Sequence, residues 1–123
     1  MQDETVLVCV TDQLNCKRLI ERGRHEADRM DARLMVLHVR TAAATMMGSA
    51  DIPQALNSLY AMAREAEADM EIISSREVEN TIVDYARGNR AALIVVGASP
   101  ASGSNMGQAL RRRLESIPVE IVE

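Results

Sequence analysis

Tryptophan and phenylalanine are absent from the 123-residue chain, and two tyrosines bring its aromatic content to only 2 %. That shortage removes the platforms on which single-stranded bases usually stack. It also leaves the interior to aliphatic side chains and eight methionines, which adapt to irregular gaps but specify geometry weakly. Positive charge is in deficit: 14 basic against 18 acidic residues give −4, which argues against nucleic acid or an anionic membrane as partner. No apolar run approaches the ~20 residues of a membrane span. The opening Met1–Thr5 is acidic rather than basic, so no secretory leader is expected. The two cysteines, Cys9 and Cys16, match no zinc or redox spacing, and two free thiols suit a reducing cytoplasm.

What is present is an ordinary globular balance, 47 % hydrophobic and 26 % charged, at a length that fits one domain over residues 1–123. Val6-Leu7-Val8-Cys9-Val10 is a short, continuous, β-branched run, the signature of a strand buried on both faces. A polar turn follows, with Asn15 as a helix N-cap. Leu19, Ile20, Gly23, Ala27 and Met30 then recur on one face of a helix. Leu34–Val39 is a second buried strand, and Thr41–Asp51 reads as a loop. Pro53 opens a helix whose inner face is Leu56, Leu59, Tyr60, Ala63 and Ala66. Met70–Ile73 is a short strand. Val78, Ile82, Val83 and Ala86 make a third helix that Gly88 or Asn89 ends in a left-handed cap. Leu93–Val96 is the fourth strand, Gly97–Ser104 a Gly/Ser/Pro-rich loop, and Met106, Leu110, Leu114 and Ile117 line a fourth helix that Pro118 breaks. Val119–Val122 is the last strand. Apolar strands alternating with amphipathic helices predict a three-layer, Rossmann-like α/β fold, its five-stranded parallel sheet covered by helices on both faces. Ligands of such sheets bind beyond the carboxyl ends of the strands, where strand order reverses.

The blocks Val6–Val10, Leu37-His38-Val39, Ile94-Val95-Val96-Gly97 and Pro118-Val119 resemble the universal stress protein family over nearly the whole chain. The stretch from Val6 through Arg18-Leu19-Ile20 to His38-Val39 is most similar to the stress-protein-like domain of Kdp-type potassium-sensing kinases. The resemblance implies a sheet order of 3-2-1-4-5 and homodimers formed along the last strand, Val119, Glu120, Ile121 and Val122. That strand would otherwise leave an edge of unpaired backbone groups. Family members that bind ATP carry an Asp directly after the first strand. After the fourth they carry a Gly, a second Gly three positions later, and a distant Gly-Ser or Gly-Thr. Here Thr11 stands at the Asp position with Asp12 one residue later. Gly97 matches the first glycine, Pro100 takes the second and offers no amide, and Gly103-Ser104 stands for the final pair in a shortened loop. The resemblance therefore implies a weakened ATP motif, with ATP or AMP as the expected ligand. The aromatic motif that serves cyclic dinucleotides in some Kdp-type domains has no counterpart in a chain without Phe.

Each candidate residue has a functional and a plain reading. Gly97, Ser99, Gly103 and Ser104 offer amides, hydroxyls and a helix N-terminus to a phosphate, or they merely return the chain to the last helix. Thr11 and Asp12 hold a ribose or base, or they begin a turn. Val39 and Thr41 end the second strand, where the resemblance implies backbone contact with an adenine. His38, within a strand, reads as structural rather than as a general base, and His25 as solvated. Arg111-Arg112-Arg113 point about 100° apart in turn and read as a solvated face that complements the helix dipole. Met46-Met47 suits a contact surface or a fold back over the core. No catalytic set, triphosphatase phosphate loop or metal cluster stands out. The expectation is a non-catalytic signalling module that binds a small adenine nucleotide, and the alternative is a dimeric protein-interaction module without ligand.

Overall fold

A computed structural model of the chain describes residues 4–10, 16–40, 52–97 and 106–122. Its elements in chain order are β1 (Thr5–Val10), α1 (Cys16–Met30), β2 (Arg33–Arg40), α2 (Ile52–Glu65), β3 (Asp69–Ser74), α3 (Val78–Gly88), β4 (Ala91–Gly97), α4 (Met106–Arg113) and β5 (Val119–Val122). All strands are parallel, in the order β3-β2-β1-β4-β5. The expected α/β architecture and sheet order are those observed.

The period-2 alternation of strand side chains divides the core into two layers. Val6, Val8, Val10, Leu34, Val36, Leu93 and Val95 form one cluster with Leu19, Ile20 and Ala27 of α1 and Leu59 and Ala63 of α2. Leu7, Cys9, Leu37, Val39, Ile94 and Val96 form the other with Ile82, Val83 and Ala86 of α3 and Leu110 of α4. Each aliphatic side chain fully buried in this way contributes roughly 1.5–3 kcal/mol, which compensates for the missing aromatics. α1 lies especially close to the sheet because its central residue on that face is Gly23. A Cβ there would stand 2.3 Å from Val8 Cγ2 and 3.0 Å from Leu34 Cδ1.

Three expectations need correction. Tyr60, expected on the inner face of α2, is 49 % exposed; the buried stripe is narrower, running through Leu59 and Ala63 with Met62 and Ala66 packed beside them. The left-handed cap after α3 falls on Arg90 (φ 54°), not on Gly88 or Asn89, and Asp31 and Glu67 take the same conformation after α1 and α2. At the first two helix ends the turn is closed in pairs, Ala32 N–H to Ala27 O and Ala68 N–H to Ala63 O, both at 2.9 Å, which satisfies carbonyls the helix would leave orphaned. Ile117 does not line α4, which ends at Arg113. Ile94 N–H donates to Pro118 O at 3.0 Å, so the chain is already back at the sheet by Pro118, and its reversal occupies Leu114–Ile117.

Candidate functional site

Apolar runs of similar length set the strands level with one another at their carboxyl ends. Cys9 is in register with Leu37 on one side and Val96 on the other, and Val10 with His38. The ends of β1, β2 and β4 thus form one floor, made by Cys9, Val10, His38, Val39, Val96 and Gly97. Strand order reverses here: β1 connects onward to β2, while its other neighbour is β4. A parallel sheet opens its crevice at such a point.

His38 is buried, at 3 % exposure, and its Nδ1 lies 3.2 Å from the Val10 carbonyl. A carbonyl only accepts, so the proton of this bond sits on Nδ1. The ring thereby holds the last carbonyl of β1 against β2, the structural role expected for it. Cys9 is a free thiol in the floor, and burial pushes its pKa up to about 12, so it is an inert filler at neutral pH.

α4 closes the floor on the β4 side. A Cβ on Gly107, in its first turn, would lie 2.5 Å from Ile121 Cδ1 and Cγ1 and 3.3 Å from Val96 Cγ2. The glycine therefore lets the helix start settle directly onto the ends of β4 and β5, beside Gly97. Nothing in the hydrophobic pattern distinguishes Gly107; the small residue at the start of a helix following the Gly-rich loop is the available signal. Arg111 and Arg113, expected to be solvated, are exposed and in addition make hydrogen bonds. Arg111 Nε and a terminal nitrogen donate to Val119 O at 3.1 and 2.9 Å, and Arg113 reaches Glu79 at 3.2 Å and Asn80. Arg112 is exposed.

Of the residues assigned to a ligand from sequence, Val39 is buried near the end of β2 and Gly97 is the half-buried last residue of β4. Thr11, Asp12, Thr41, Ser99, Gly103 and Ser104 lie outside the described residues, as do Pro100 and the Met46-Met47 pair. Val39 and Gly97 therefore flank β1 on opposite sides, and the loops carrying the other candidates leave from the ends of β1, β2 and β4.

Away from this floor, α1 carries an ionic chain that the apolar pattern does not signal. Glu26 is 5 % exposed, accepts from Arg29 at 2.6 and 3.0 Å and lies 3.6 Å from Arg22, which also pairs with Glu120 of β5. The Arg29 hydrogen bond holds the Glu26 carboxyl below its usual range, against the opposing effect of burial. An open groove runs beside this chain between Arg18, Glu21, Arg22 and His25 of α1 and the outer edge Glu120–Val122. On the opposite side of the sheet Tyr85 donates to Glu71, tying α3 to β3; burial, then the Glu71 bond, raises its phenol pKa. Among the described residues no group of three or more His, Cys, Asp or Glu could hold a metal ion, and no helix is long and apolar enough to cross a membrane.

The model of the Universal stress protein family matches residues 4–118. Direct comparison with curated protein sequences gives no match. Among solved structures, universal stress protein UspA from Lactobacillus plantarum is 17 % identical over 100 % of this chain and 99 % of its own, with a TM-score of 0.76. The universal stress protein from Archaeoglobus fulgidus in complex with dAMP is 19 % identical over all of both chains, at 0.71. A universal stress protein in complex with cAMP is 22 % identical over 98 % of this chain and 96 % of its own, at 0.69. With a family match over nearly its entire length and the β3-β2-β1-β4-β5 sheet it entails, the chain belongs to the universal stress protein family.

Proposed function

We propose that residues 1–123 act as one non-catalytic stress or signalling domain whose site at the carboxyl ends of β1, β2 and β4 takes a small adenine nucleotide. The observation that carries this reading is the level floor at the strand-order reversal, with the start of α4 drawn down beside Gly97 by Gly107. Relatives of the same fold that hold cAMP and dAMP support the ligand class. In this reading Thr11 and Asp12 meet the ribose or base. The backbone of Val39 and Thr41 meets the adenine, and Gly97, Ser99, Gly103 and Ser104 meet the phosphate. Thr11 and Pro100 weaken a triphosphate site, so AMP-sized ligands are favoured over ATP. Ligand binding shifts an equilibrium between assemblies. Within the family we place the chain nearest the Kdp-type kinase domains, and in a reducing cytoplasm, where Cys9 stays a thiol.

A second reading rests on a different observation. β5 is an edge strand of the sheet and borders an open groove beside α1. This supports a homodimer through Val119–Val122 that acts as a protein-interaction module with or without nucleotide.

Thermal shift with AMP, cAMP and ATP, with and without magnesium, separates the two readings. A ligand at 100 times its Kd adds about 2.7 kcal/mol when it binds only the folded state. A shift with AMP that is lost in Ser104→Ala and Gly103→Val supports the nucleotide module. No shift with any nucleotide leaves the interaction module. Phosphate release from ATP should not exceed that of an Asp12→Ala control, and turnover clearly above the control refutes the non-catalytic assignment.

A further inference from the structure

We propose that the outer edge of β3 takes up an extended segment of a partner protein, one that alternates cationic and aliphatic side chains, as a further strand of the sheet. β3 ends the sheet on the side opposite β5 and adds nothing to the floor made by β1, β2 and β4. The surface is therefore separate from the nucleotide floor and from the β5 edge.

Hydrogen bonding within the sheet fixes which β3 groups are unpaired. Arg33 N–H donates to Glu4 O at 3.0 Å, so Arg33 turns its backbone polar groups to β1. Successive residues of a strand turn them to alternate sides, which directs those of Leu34, Val36, His38 and Arg40 to β3. Val36 is level with Met70, and such a residue of a parallel ladder bonds the two neighbours of the residue it is level with. Its partners are therefore Asp69 and Glu71, and by the same step His38 bonds Glu71 and Ile73. The N–H and C=O of Met70, Ile72 and Ser74 point away from the sheet, and none of them bonds another described residue.

Edges are commonly closed to added strands by proline, lysine, a bulge or extreme shortness. β3 is six residues long, against four for β5, holds neither proline nor lysine, and keeps an unbroken register with β2. Its side chains set what can pair with it. Asp69 and Glu71 are exposed on the face that carries α3, where Tyr85 donates to Glu71 and Asp69 lies 3.9 Å from Arg33. Met70 and Ile72 are half-buried on the other face, Met70 against the cluster beneath α1 and α2. Glu65 and Glu67, exposed on the approach to β3, extend the negative charge and have no ion-pair partner among the described residues.

An added strand sets its side chains beside those of β3 on each face. Cationic groups next to Asp69 and Glu71, with aliphatic groups next to Met70 and Ile72, match both faces at once. A second copy of β3 does not. Two antiparallel copies are related by an axis perpendicular to the sheet, so each face keeps its identity and carboxylates meet carboxylates. An acidic segment is opposed by the same repulsion. Main-chain bonds to Met70, Ile72 and Ser74 then supply affinity, and the alternation of charge supplies the choice of partner.

A capped hexapeptide of alternating lysine and valine, titrated into the full chain and followed by amide NMR, is the test. Saturable shifts should centre on Met70, Ile72 and Ser74 and leave Val119–Val122 unmoved. Ile72→Pro removes an N–H that β2 does not use, so the ladder survives while peptide affinity should fall roughly tenfold. Asp69→Lys is a second arm that leaves the backbone untouched. Its affinity for the lysine–valine peptide should fall on the order of fivefold, and a glutamate–valine peptide, which the parent chain should reject, should bind it. Shifts centred on Val119–Val122 overturn the choice of edge. Equal binding of both peptides by the parent chain overturns the cationic partner. A dimer of the unmodified chain that Ile72→Pro dissociates puts a second copy on β3 and overturns the partner chemistry. No saturable shift with the lysine–valine peptide up to its highest soluble concentration overturns the proposal outright.

Discussion

Gly23 and Gly88 both lie in helices, and helix propensity alone predicts that alanine stabilises each by up to about 1 kcal/mol. The structure divides them. A Cβ on Gly88 has nothing within 4 Å, so Gly88→Ala should realise that gain, about 0.5–1 kcal/mol. On Gly23 the same methyl arrives 2.3 Å from Val8 Cγ2, where an ordinary carbon contact is about 3.5–4 Å. Val8 is fully buried in the central strand and, being β-branched, has little freedom to rotate away. Leu34 Cδ1, at 3.0 Å, blocks a second direction. Overpacking of this kind costs about 1–3 kcal/mol, and the rigidity of Val8 puts Gly23→Ala at the upper end. After the propensity gain is subtracted, the variant should be about 2 kcal/mol less stable than the parent. The two variants should therefore differ by about 3 kcal/mol, or on the order of 10 °C in Tm for a chain of this size. Urea unfolding at constant m-value is the assay. A Gly23→Ala protein as stable as the parent would refute the claim that α1 sits on the sheet through this close contact.

The ionic and thiol groups give further expectations. The Glu26 carboxyl is held below its usual value, so its contribution is present above about pH 4.5 and is lost as pH falls below that. Urea titrations between pH 3 and 7 should show Glu26→Gln less stable near neutrality and flatter in the acid limb; identical pH profiles would contradict the ionic chain. In a Cys16→Ser background, Cys9 should react with a thiol reagent at pH 8 only as fast as the protein opens, because burial raises its pKa to about 12. Rapid stoichiometric labelling without denaturant would count against a closed floor. Tyr85→Phe removes the α3–β3 tie and should cost about 1 kcal/mol. The Tyr85 phenol is raised, so its contribution is complete below its ordinary value of 10 and is lost as pH rises beyond it. The variant should lack that alkaline loss, and a wild-type alkaline limb surviving in it would assign the effect elsewhere.

The architecture was legible because two-sided burial leaves a continuous apolar run in each inner strand and a 3.6-residue stripe in each helix. Val6–Val10 and Leu19-Ile20-Gly23-Ala27 are direct imprints of the layers they build. What periodicity could not register was anything filled by an atypical residue. Left-handed turns usually advertise themselves with glycine or asparagine, and here Asp31, Glu67 and Arg90 occupy them. Glu26 reads as a surface acid until Arg22 and Arg29 are seen to cover it. Tyr60 fits an apolar stripe by type but lies one position off the line through Leu59 and Ala63. At the site the floor residues Val39 and Gly97 follow from where the strands stop. The closeness of α4 depends on Gly107 meeting Val96 and Ile121, a contact between segments that no local pattern encodes. The loop residues proposed for ribose and phosphate rest on the family resemblance.

The central claim is that an adenine nucleotide sits on the carboxyl ends of β1, β2 and β4, and an amide NMR titration of the chain with AMP tests it most directly. Saturable shifts should concentrate at Val10, Val39, Gly97 and Gly107, spare Asp31, Glu67 and Arg90 at the opposite end of the sheet, and disappear in Gly103→Val. Saturable shifts centred on the opposite end, or none at any AMP concentration, would contradict the account.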